Sequence, residues 1–296
     1  MRIIEQVVTG AVRGVQSVSA SAAASLALRL FMRVGTRMPL RDEDEPTMST
    51  ATRWAIPLPG VDGRGAVAIA YEWGRGPETV VLVHGWQGRA SQFAPMVREL
   101  RAEGLRVVAL EMPAHGEAPG ERTYLPDFTE AIAVAQRRYG PLHGLVGHSF
   151  GGMAVLTALA DGIDVDRVMT VAAPAEAASV FGAFRDRLGI DARTAEITRA
   201  RFADRYFDGA DPFAWASALR RPLPPTDLVF AHDRGDRQVP FSEAERLGTA
   251  HPHAALLALD GTGHSRILRS DAVLDAALAL FTAPGGEQRA TYAAAA

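Results

Sequence analysis

From about residue 54 onward, short apolar runs alternate with segments of helical periodicity. The clearest run is Thr79–Val83, whose β-branched residues are typical of a strand buried on both faces. The predicted strands are Ala66–Glu72, Thr79–Val83, Leu105–Leu110, Gly144–Gly147, Arg167–Ala172, Asp227–Ala231 and Ala255–Leu259. Runs of this kind predict a sheet that is covered on both of its faces.

Segments between these strands carry apolar residues at helical spacing. Ser91–Ala102 is one example, with Phe93, Met96 and Leu100 on one face. The other predicted helices are Asp127–Tyr139, Phe150–Ala160 and Asp271–Phe281. Because strands and helices alternate, we predict an α/β fold with a mostly parallel sheet and helices on both faces.

The interval 174–225 breaks this alternation, since it contains only helix-like pieces such as Ala175–Leu188 and Ala192–Tyr206. An insertion of helices between two strands is expected to lie above the sheet as a cap. We therefore predict a helical cap at about residues 174–225.

The N-terminal stretch is only mildly apolar. Residues 14–28 carry no charge but are rich in Ser and Ala, and a spanning helix needs about 20 predominantly apolar residues. Glu5 and Arg13 interrupt the apolar run that a secretory signal would place after its charges. We expect residues 1–34 to form one or two peripheral helices, against the main domain or a membrane surface, in a cytoplasmic protein.

Polar segments suggest the limits of the main domain. Residues 41–50 resemble a linker, and Pro284–Ala296 resembles a flexible tail. We therefore predict an N-terminal helical segment and linker over residues 1–50, a main domain over 51–283 and a tail over 284–296.

Composition and net charge mainly exclude certain classes of protein and kinds of site. The chain has 296 residues, of which 48% are apolar and 22% charged, which argues against a disordered chain, a fibre or a coiled coil. All 31 basic residues are Arg, and the net charge of −3 supplies no basic field for nucleic acid. The chain has no Cys, which excludes disulfides, thiolate nucleophiles and Cys-based metal sites.

Gly147-His148-Ser149-Phe150-Gly151 is a G-x-S-x-G motif between a predicted strand and a predicted helix. A sharp strand-to-helix turn of this kind exposes a serine hydroxyl at the edge of the sheet. The glycines allow other backbone to approach closely, and the helix directs its positive end toward a developing anion. Ser149 is therefore the candidate nucleophile.

A second motif follows the strand that ends at Val83, where the chain reads His84-Gly85-Trp86. Acyl transfer needs two N–H groups to stabilise the oxyanion. In this architecture one comes from the residue after the nucleophile and the other from the loop after an earlier strand. Phe150 and Trp86 occupy these two positions, so we predict that they form the oxyanion hole.

A serine nucleophile also needs a base and an orienting acid. His264 follows the last predicted strand, on a loop at the same edge of the sheet as Ser149. Two carboxylates, Asp233 and Asp236, follow the strand Asp227–Ala231, and spacing alone does not choose between them. The chain order of serine, acid and histidine is the one expected for this architecture.

With these motifs the chain from about Trp54 to Phe281 resembles the α/β-hydrolase fold superfamily. It is most similar to bacterial serine α/β hydrolases that are known by their fold only. The matching segments are H-G-W at 84–86, M-P-A-H-G at 112–116, G-H-S-F-G-G at 147–152, H-D-R-G-D-R-Q-V-P at 232–240 and G-H-S-R-I-L at 263–268. The resemblance implies an eight-stranded type of sheet with a helical cap.

The resemblance also bears on the acid. Because the acid of these proteins usually precedes a Val-Pro pair by three residues, it implies that Asp236 is catalytic and that Asp233 is a turn residue. Glu111 departs from the family pattern, since relatives often have a structural Asp there. Relatives with an Asp nucleophile, such as haloalkane dehalogenases and epoxide hydrolases, are excluded by Ser149.

Several functions remain open on these residues. The first is a serine hydrolase that cleaves a small-molecule carboxylic ester or thioester, with acyltransferase or carbon–carbon bond hydrolase as alternatives on the same triad. The second is a non-catalytic ligand-binding protein of the same fold. The third is a metalloenzyme that uses His232, Asp233 and Asp236, but no tight ligand motif is present. We expect no cofactor, no metal and no nucleic-acid partner.

Large apolar residues of the interval 174–225 suggest an acyl pocket. They are Phe181, Phe184, Leu188, Phe202, Tyr206, Phe207, Phe213 and Trp215. We expect most of them to pack the cap, and some to line an apolar pocket above Ser149.

Overall fold

The computed structural model describes residues 2–283, and the tail expected over 284–296 lies outside them. The described chain divides into two compact units. The larger unit contains Val34–Ala175 and the described residues from Ala218 onward. The smaller unit contains the described residues up to Arg33 together with Glu176–Ser217.

A single sheet forms the centre of the larger unit, with eight strands in the described residues in the order β1-β2-β4-β3-β5-β6-β7-β8. The strands are β1 (Thr52–Leu58), β2 (Ala66–Trp73), β3 (Thr79–Val83), β4 (Arg106–Glu111), β5 (Leu142–His148), β6 (Val165–Val171), β7 (Asp227–Asp233) and β8 (Ala255–Leu259). Strand β2 pairs antiparallel with both β1 and β4, and all other pairs are parallel. The predicted mostly parallel sheet is confirmed.

Helices of the larger unit follow the alternation that the sequence predicts. They are α3 (Glu45–Met48), α4 (Ala94–Ala102), α5 (Leu125–Tyr139), α6 (Phe150–Ala160), α10 (Ser242–Ala250), α11 (Gly263–Arg266) and α12 (Asp271–Thr282). All of β3 and β5 is buried, and β3 reads as the continuous apolar run that is typical of such a strand. The fold is therefore of the α/β class with helices packed on the sheet.

Strand β1 is absent from the sequence-based prediction. Its outer residues are mostly exposed, and only Ile56 and Leu58 are buried. It also contains Pro57, which a strand tolerates at the edge of a sheet, where one row of backbone groups needs no partner. An edge strand of this kind lacks the continuous apolar run that marks the central strands.

The segment expected to be a linker packs on the larger unit. Asp44 is buried and forms a two-pronged ion pair with Arg269, at 2.6 and 2.8 Å. The indole N–H of Trp73 donates to the Thr47 carbonyl over 2.9 Å, and Met48 joins the core. The larger unit thus begins at Val34, whereas the sequence places the start of the main domain at residue 51.

The smaller unit combines two separate parts of the chain. Its helices are α1 (Arg2–Val18), α2 (Ala20–Phe31), α7 (Ala177–Leu188), α8 (Ala192–Tyr206) and α9 (Pro212–Trp215). The N-terminal helices pack on the inserted ones, α1 on α7 and α2 on α8. The Asp191 N–H donates to Gln16 Oε1 over 2.9 Å, and Arg201 Nη1 donates to the Ser21 carbonyl over 2.6 Å.

Aromatic rings form the centre of this smaller unit. The ring of Phe31 lies 5.0–5.6 Å, between centroids, from the rings of Phe181, Phe184 and Phe202. Phe213 lies within 6.2 Å of both Phe181 and Phe202. The aromatic residues of the insertion therefore pack against one another, and their expected part in an acyl pocket stays a prediction.

Between residues 2 and 283, no helix has the length and apolar character required to cross a bilayer.

Candidate active site

Ser149 lies at the turn between β5 and α6, in a conformation that few residues adopt. Its backbone angles are φ 53° and ψ −122°, a strained region for a residue with a Cβ. The turn is possible because its neighbours lack side chains: a Cβ on Gly147 would lie 2.5 Å from the Gly151 carbonyl oxygen, and one on Gly151 would lie 2.3 Å from the Val83 carbonyl oxygen. Close backbone packing thus holds the serine hydroxyl out at the edge of the sheet.

Three predicted site residues form a continuous hydrogen-bonded chain. The imidazole Nε2 of His264 lies 2.9 Å from Ser149 Oγ, and Nδ1 lies 2.7 Å from Asp236 Oδ2. The side chains of His264 and Asp236 are 8% and 0% exposed. An array of this geometry can remove the proton of the hydroxyl while the carboxylate holds the imidazole in one tautomer.

Backbone N–H groups hold the Asp236 carboxylate in place. Its Oδ1 accepts from the N–H of Gln238 at 2.7 Å and of Val239 at 3.1 Å. Burial raises the pKa of Asp236, but the hydrogen bonds from His264 and from the backbone outweigh it, and the pKa falls below its ordinary value. The group is therefore a carboxylate at neutral pH, and its Oδ2 remains available to His264.

Asp233, the competing carboxylate, has other partners. Its Oδ2 accepts from the N–H of Thr262 at 2.6 Å and from the Thr262 hydroxyl at 2.7 Å, and its Oδ1 accepts from the Gly235 N–H at 2.8 Å. Because Thr262 lies two residues before His264, Asp233 ties the acid loop to the histidine loop. It does not contact the imidazole.

His148, the residue before Ser149, holds the backbone of His264. Its Nε2 donates to the His264 carbonyl over 2.9 Å, and the two rings lie 4.9 Å apart. Burial lowers the pKa of His148 to about 3, so this ring is neutral and adds no charge beside the base. The sequence motif gives no sign of this contact, because His148 and His264 come together only in the fold.

The His84-Gly85-Trp86 loop lies directly against Ser149. A Cβ on Gly85 would lie 2.8 Å from the Cβ of Ser149, so only glycine allows this approach. The rings of Trp86 and Phe150 pack edge to face at 5.3 Å. In the part of the chain that the structure describes, no hydrogen bond occupies the N–H of Trp86 or Phe150. The two predicted oxyanion donors therefore belong to adjoining segments beside Ser149.

The residues of the metal hypothesis are engaged elsewhere. His232 Nε2 donates to the Val239 carbonyl over 2.9 Å, and it lies 3.6 Å from Asp236 Oδ2. Across residues 2–283, no group of three side chains with metal-ligating chemistry comes together. Asp233 bonds to the histidine loop, as described above.

Fold and site together define a protein in which a serine, a histidine and an aspartate are linked by hydrogen bonds at one edge of a mostly parallel sheet. The chain belongs to the alpha/beta hydrolase family, whose model matches residues 80–276. The resemblance seen in the sequence motifs is thus confirmed.

Individual relatives share about a third of their aligned residues with this chain. The chain is 29% identical over 245 residues to the pimeloyl-[acyl-carrier protein] methyl ester esterase of Xanthomonas campestris pv. campestris, a match that covers 69% of this chain and 94% of the relative. It is 34% identical over 104 residues to the monoacylglycerol lipase of Mycolicibacterium smegmatis, a match that covers 30% of this chain and only 36% of the relative.

Solved structures share the fold. The 2-hydroxy-6-oxo-6-phenylhexa-2,4-dienoate hydrolase of a Rhodococcus species aligns with a TM-score of 0.53 at 21% identity, over 79% of this chain and 100% of that chain. At this identity the likeness concerns the fold alone.

Proposed function

We propose that this protein is a serine hydrolase that cleaves a carboxylic ester or thioester through an acyl-enzyme on Ser149. The observation that carries the proposal is the chain of contacts from Ser149 Oγ through both nitrogens of His264 to Asp236, at 2.9 and 2.7 Å. The Nδ1–H of His264 donates to Asp236, which leaves Nε2 as a lone-pair acceptor that faces the hydroxyl.

The chemistry proceeds in two halves. In the first, Ser149 Oγ attacks the carbonyl carbon as its proton passes to His264 Nε2, and the leaving alcohol or thiol then takes that proton. In the second, His264 accepts a proton from water as the water oxygen attacks the acyl carbon, and returns it to Ser149 as the acid leaves. Asp236 stabilises the imidazolium that forms in each half.

The oxyanion that develops in each half needs fixed donors. Phe150 N–H opens helix α6 directly after the nucleophile, and Trp86 N–H follows the glycine that packs on the Ser149 Cβ. One such donor contributes roughly a hundredfold to a thousandfold in turnover. We assign the oxyanion hole to these two N–H groups.

Two comparisons favour an ester as substrate. One relative, which aligns with 69% of this chain, is named as a methyl ester esterase, and another, which aligns with 30%, is named as a lipase. The half-buried rings of Trp86 and Phe150 form an apolar wall in the larger unit, 5.3 Å apart between centroids, and the buried ring of Phe128 packs on Phe150 at 5.0 Å. A wall of this kind suits an apolar acyl group.

Turnover of an activated ester tests the proposal. Replacing Ser149 or His264 by Ala removes the nucleophile or the base, and each variant is expected to lose activity by up to about 10⁶-fold. Because the residues act as a unit, the double variant should be little worse than either single variant. Circular dichroism of each variant controls for folding.

The alternatives give different results in the same assay. A ligand-binding protein of this fold would show no turnover in the wild type. An acyltransferase would release acid slowly, and an added alcohol would accelerate the loss of the ester. A carbon–carbon bond hydrolase would require a ketone substrate.

A further inference from the structure

The loop that carries Trp86 is attached to a second loop by side-chain acceptors. Residues 84–90 follow β3, and residues 111–117 begin at the end of β4. Met112 N–H donates to His84 Nε2 at 3.0 Å, and Ala90 N–H donates to Glu111 Oε2 at 3.2 Å. These bonds anchor the two ends of the first loop. Neither bond involves the loop residues between these two ends.

A third bond reaches the middle of the loop. The N–H of Gln87 donates to His115 Nε2 over 3.0 Å. Gln87 has φ 57°, a left-handed conformation that disfavours a residue with a side chain. Gln87 also anchors its side chain, which donates to the Val34 carbonyl over 2.7 Å. The peptide between Trp86 and Gln87 is thus held in an unfavourable geometry by its partners.

His115 is arranged to accept this bond. Its Nδ1 lies 3.0 Å from the Pro113 carbonyl, and since a carbonyl can only accept, Nδ1 carries the proton. Nε2 is then the free acceptor. The ring is fully buried, between the rings of Trp86, His84 and Phe128. Burial lowers the pKa of His115 to about 4, so the imidazole is neutral at pH 7.

We propose that His115 is a positioning residue of the oxyanion hole. Its Nε2 fixes the Trp86–Gln87 peptide, and this holds the adjoining peptide so that the Trp86 N–H is directed toward the reacting carbonyl. The inference rests on the proposed function, because it needs an oxyanion to stabilise. His115 itself touches neither substrate nor Ser149. Its effect is carried by the backbone of the loop.

Two substitutions separate the bonds of His115. In His115→Asn the amide can still donate to Pro113, but the acceptor for Gln87 is lost. In His115→Gln the longer side chain brings an acceptor to the place of Nε2. His143→Asn is the matched control, since His143 is also buried and also bonds to a carbonyl, that of Phe281 at 2.7 Å.

The kinetic test measures kcat per active site, with sites counted by fluorophosphonate titration, and the inhibition constant of an alkyl trifluoromethyl ketone, which forms a tetrahedral oxyanion. We expect His115→Asn to lower kcat by about tenfold to a hundredfold, which is part of the hundredfold to thousandfold in turnover that one oxyanion donor contributes. KM should change little, and the ketone should bind more weakly by a similar factor. His115→Gln should recover most of both, and His143→Asn should match the wild type.

Unchanged kcat per site in His115→Asn overturns the inference, as does a loss of kcat without weaker ketone binding. Should His115→Asn not fold, ¹⁵N NMR of the wild-type histidines decides instead. At pH 7 an unprotonated His115 Nε2 bonded to the Gln87 amide supports the inference, and a protonated Nε2 refutes it. A wild type with neither turnover nor labelling would refute the proposed function, and with it this role of His115, even where the NMR shows the bond.

Discussion

The two carboxylates at the carboxyl end of β7, Asp233 in the strand and Asp236 in the loop after it, have different partners, although only two residues separate them. Asp236 contacts the imidazole of His264, whereas Asp233 joins Thr262 to the Gly235 N–H. The sequence alone left both open because each follows the same strand. A tight turn, with Asp236 N–H donating to the Asp233 carbonyl at 3.1 Å, determines which side chain reaches His264.

Substitution of each carboxylate by its amide tests this division. Asp236→Asn should reduce ester turnover by about 10⁴-fold, because the amide favours the wrong imidazole tautomer, as in a serine protease. Asp233→Asn loses about one hydrogen bond that holds the histidine loop, and should remain within about tenfold of the wild type. Both purified variants would be assayed after a check of folding. A larger loss in Asp233→Asn would reverse the assignment.

At the scale of elements, the smaller unit depends on helices from distant parts of the chain. The sequence predicts helices before residue 34 and between 174 and 225, and the N-terminal helices are expected to lie against the main domain or a membrane surface. The structure packs α1 on α7 and α2 on α8. Periodicity identifies an apolar helical face, but nothing local indicates which other face covers it. Phe31 of α2 takes part in this packing through ring contacts with α7 and α8.

Phe31→Ala should therefore destabilise the smaller unit. The half-buried ring packs on Phe181, Phe184 and Phe202, so its loss should cost about 1–3 kcal/mol, less than the loss of a fully buried Phe ring. We expect faster tryptic cleavage at the arginines of α7 and α8, measured by limited proteolysis and mass spectrometry. Val18→Ala is the control, since that side chain is 87% exposed. Equal cleavage in both variants would contradict this packing.

Elements of the larger unit differ in how far the sequence predicts them. The buried strand β3 was predicted because its apolar run is continuous. Strand β1 was not, because it lies at the edge and is mostly exposed. Residues 41–50 look like a linker by composition, yet Asp44 and Met48 are buried through partners far along the chain. Polar composition does not show which charges are paired.

At the scale of the whole molecule, buried histidines make stability depend on pH. Burial lowers the pKa of five of them, to about 4 for His115 and about 3 for His148. The other three are His84, His232 and His251. In the unfolded chain each would have a pKa near 6.5. Below that pH the unfolded state binds more protons than the folded state, so acid favours unfolding.

The free energy of unfolding should thus fall as the pH is lowered from about 6.5 to about 4. Asp127 and Glu111 oppose this trend, since burial raises the pKa of Asp127 to about 6 and also raises that of Glu111, but the five histidines outnumber them. Denaturant unfolding at a series of pH values measures the slope. The slope should be shallower in His115→Asn than in the wild type, because that substitution removes one buried imidazole with a lowered pKa. A flat profile in the wild type would contradict the neutral, buried state of these rings.

Covalent labelling of Ser149 tests the central claim most directly. The wild-type protein would be treated with a fluorophosphonate. The mass of the intact protein would give the number of adducts, and peptide mass spectrometry would locate them. The geometry around Ser149 Oγ predicts one adduct per chain, on Ser149, because His264 activates only this hydroxyl. Ser149→Ala should remain unlabelled while it keeps its fold. An adduct on another residue, or equal labelling of Ser149→Ala, would contradict the proposed mechanism.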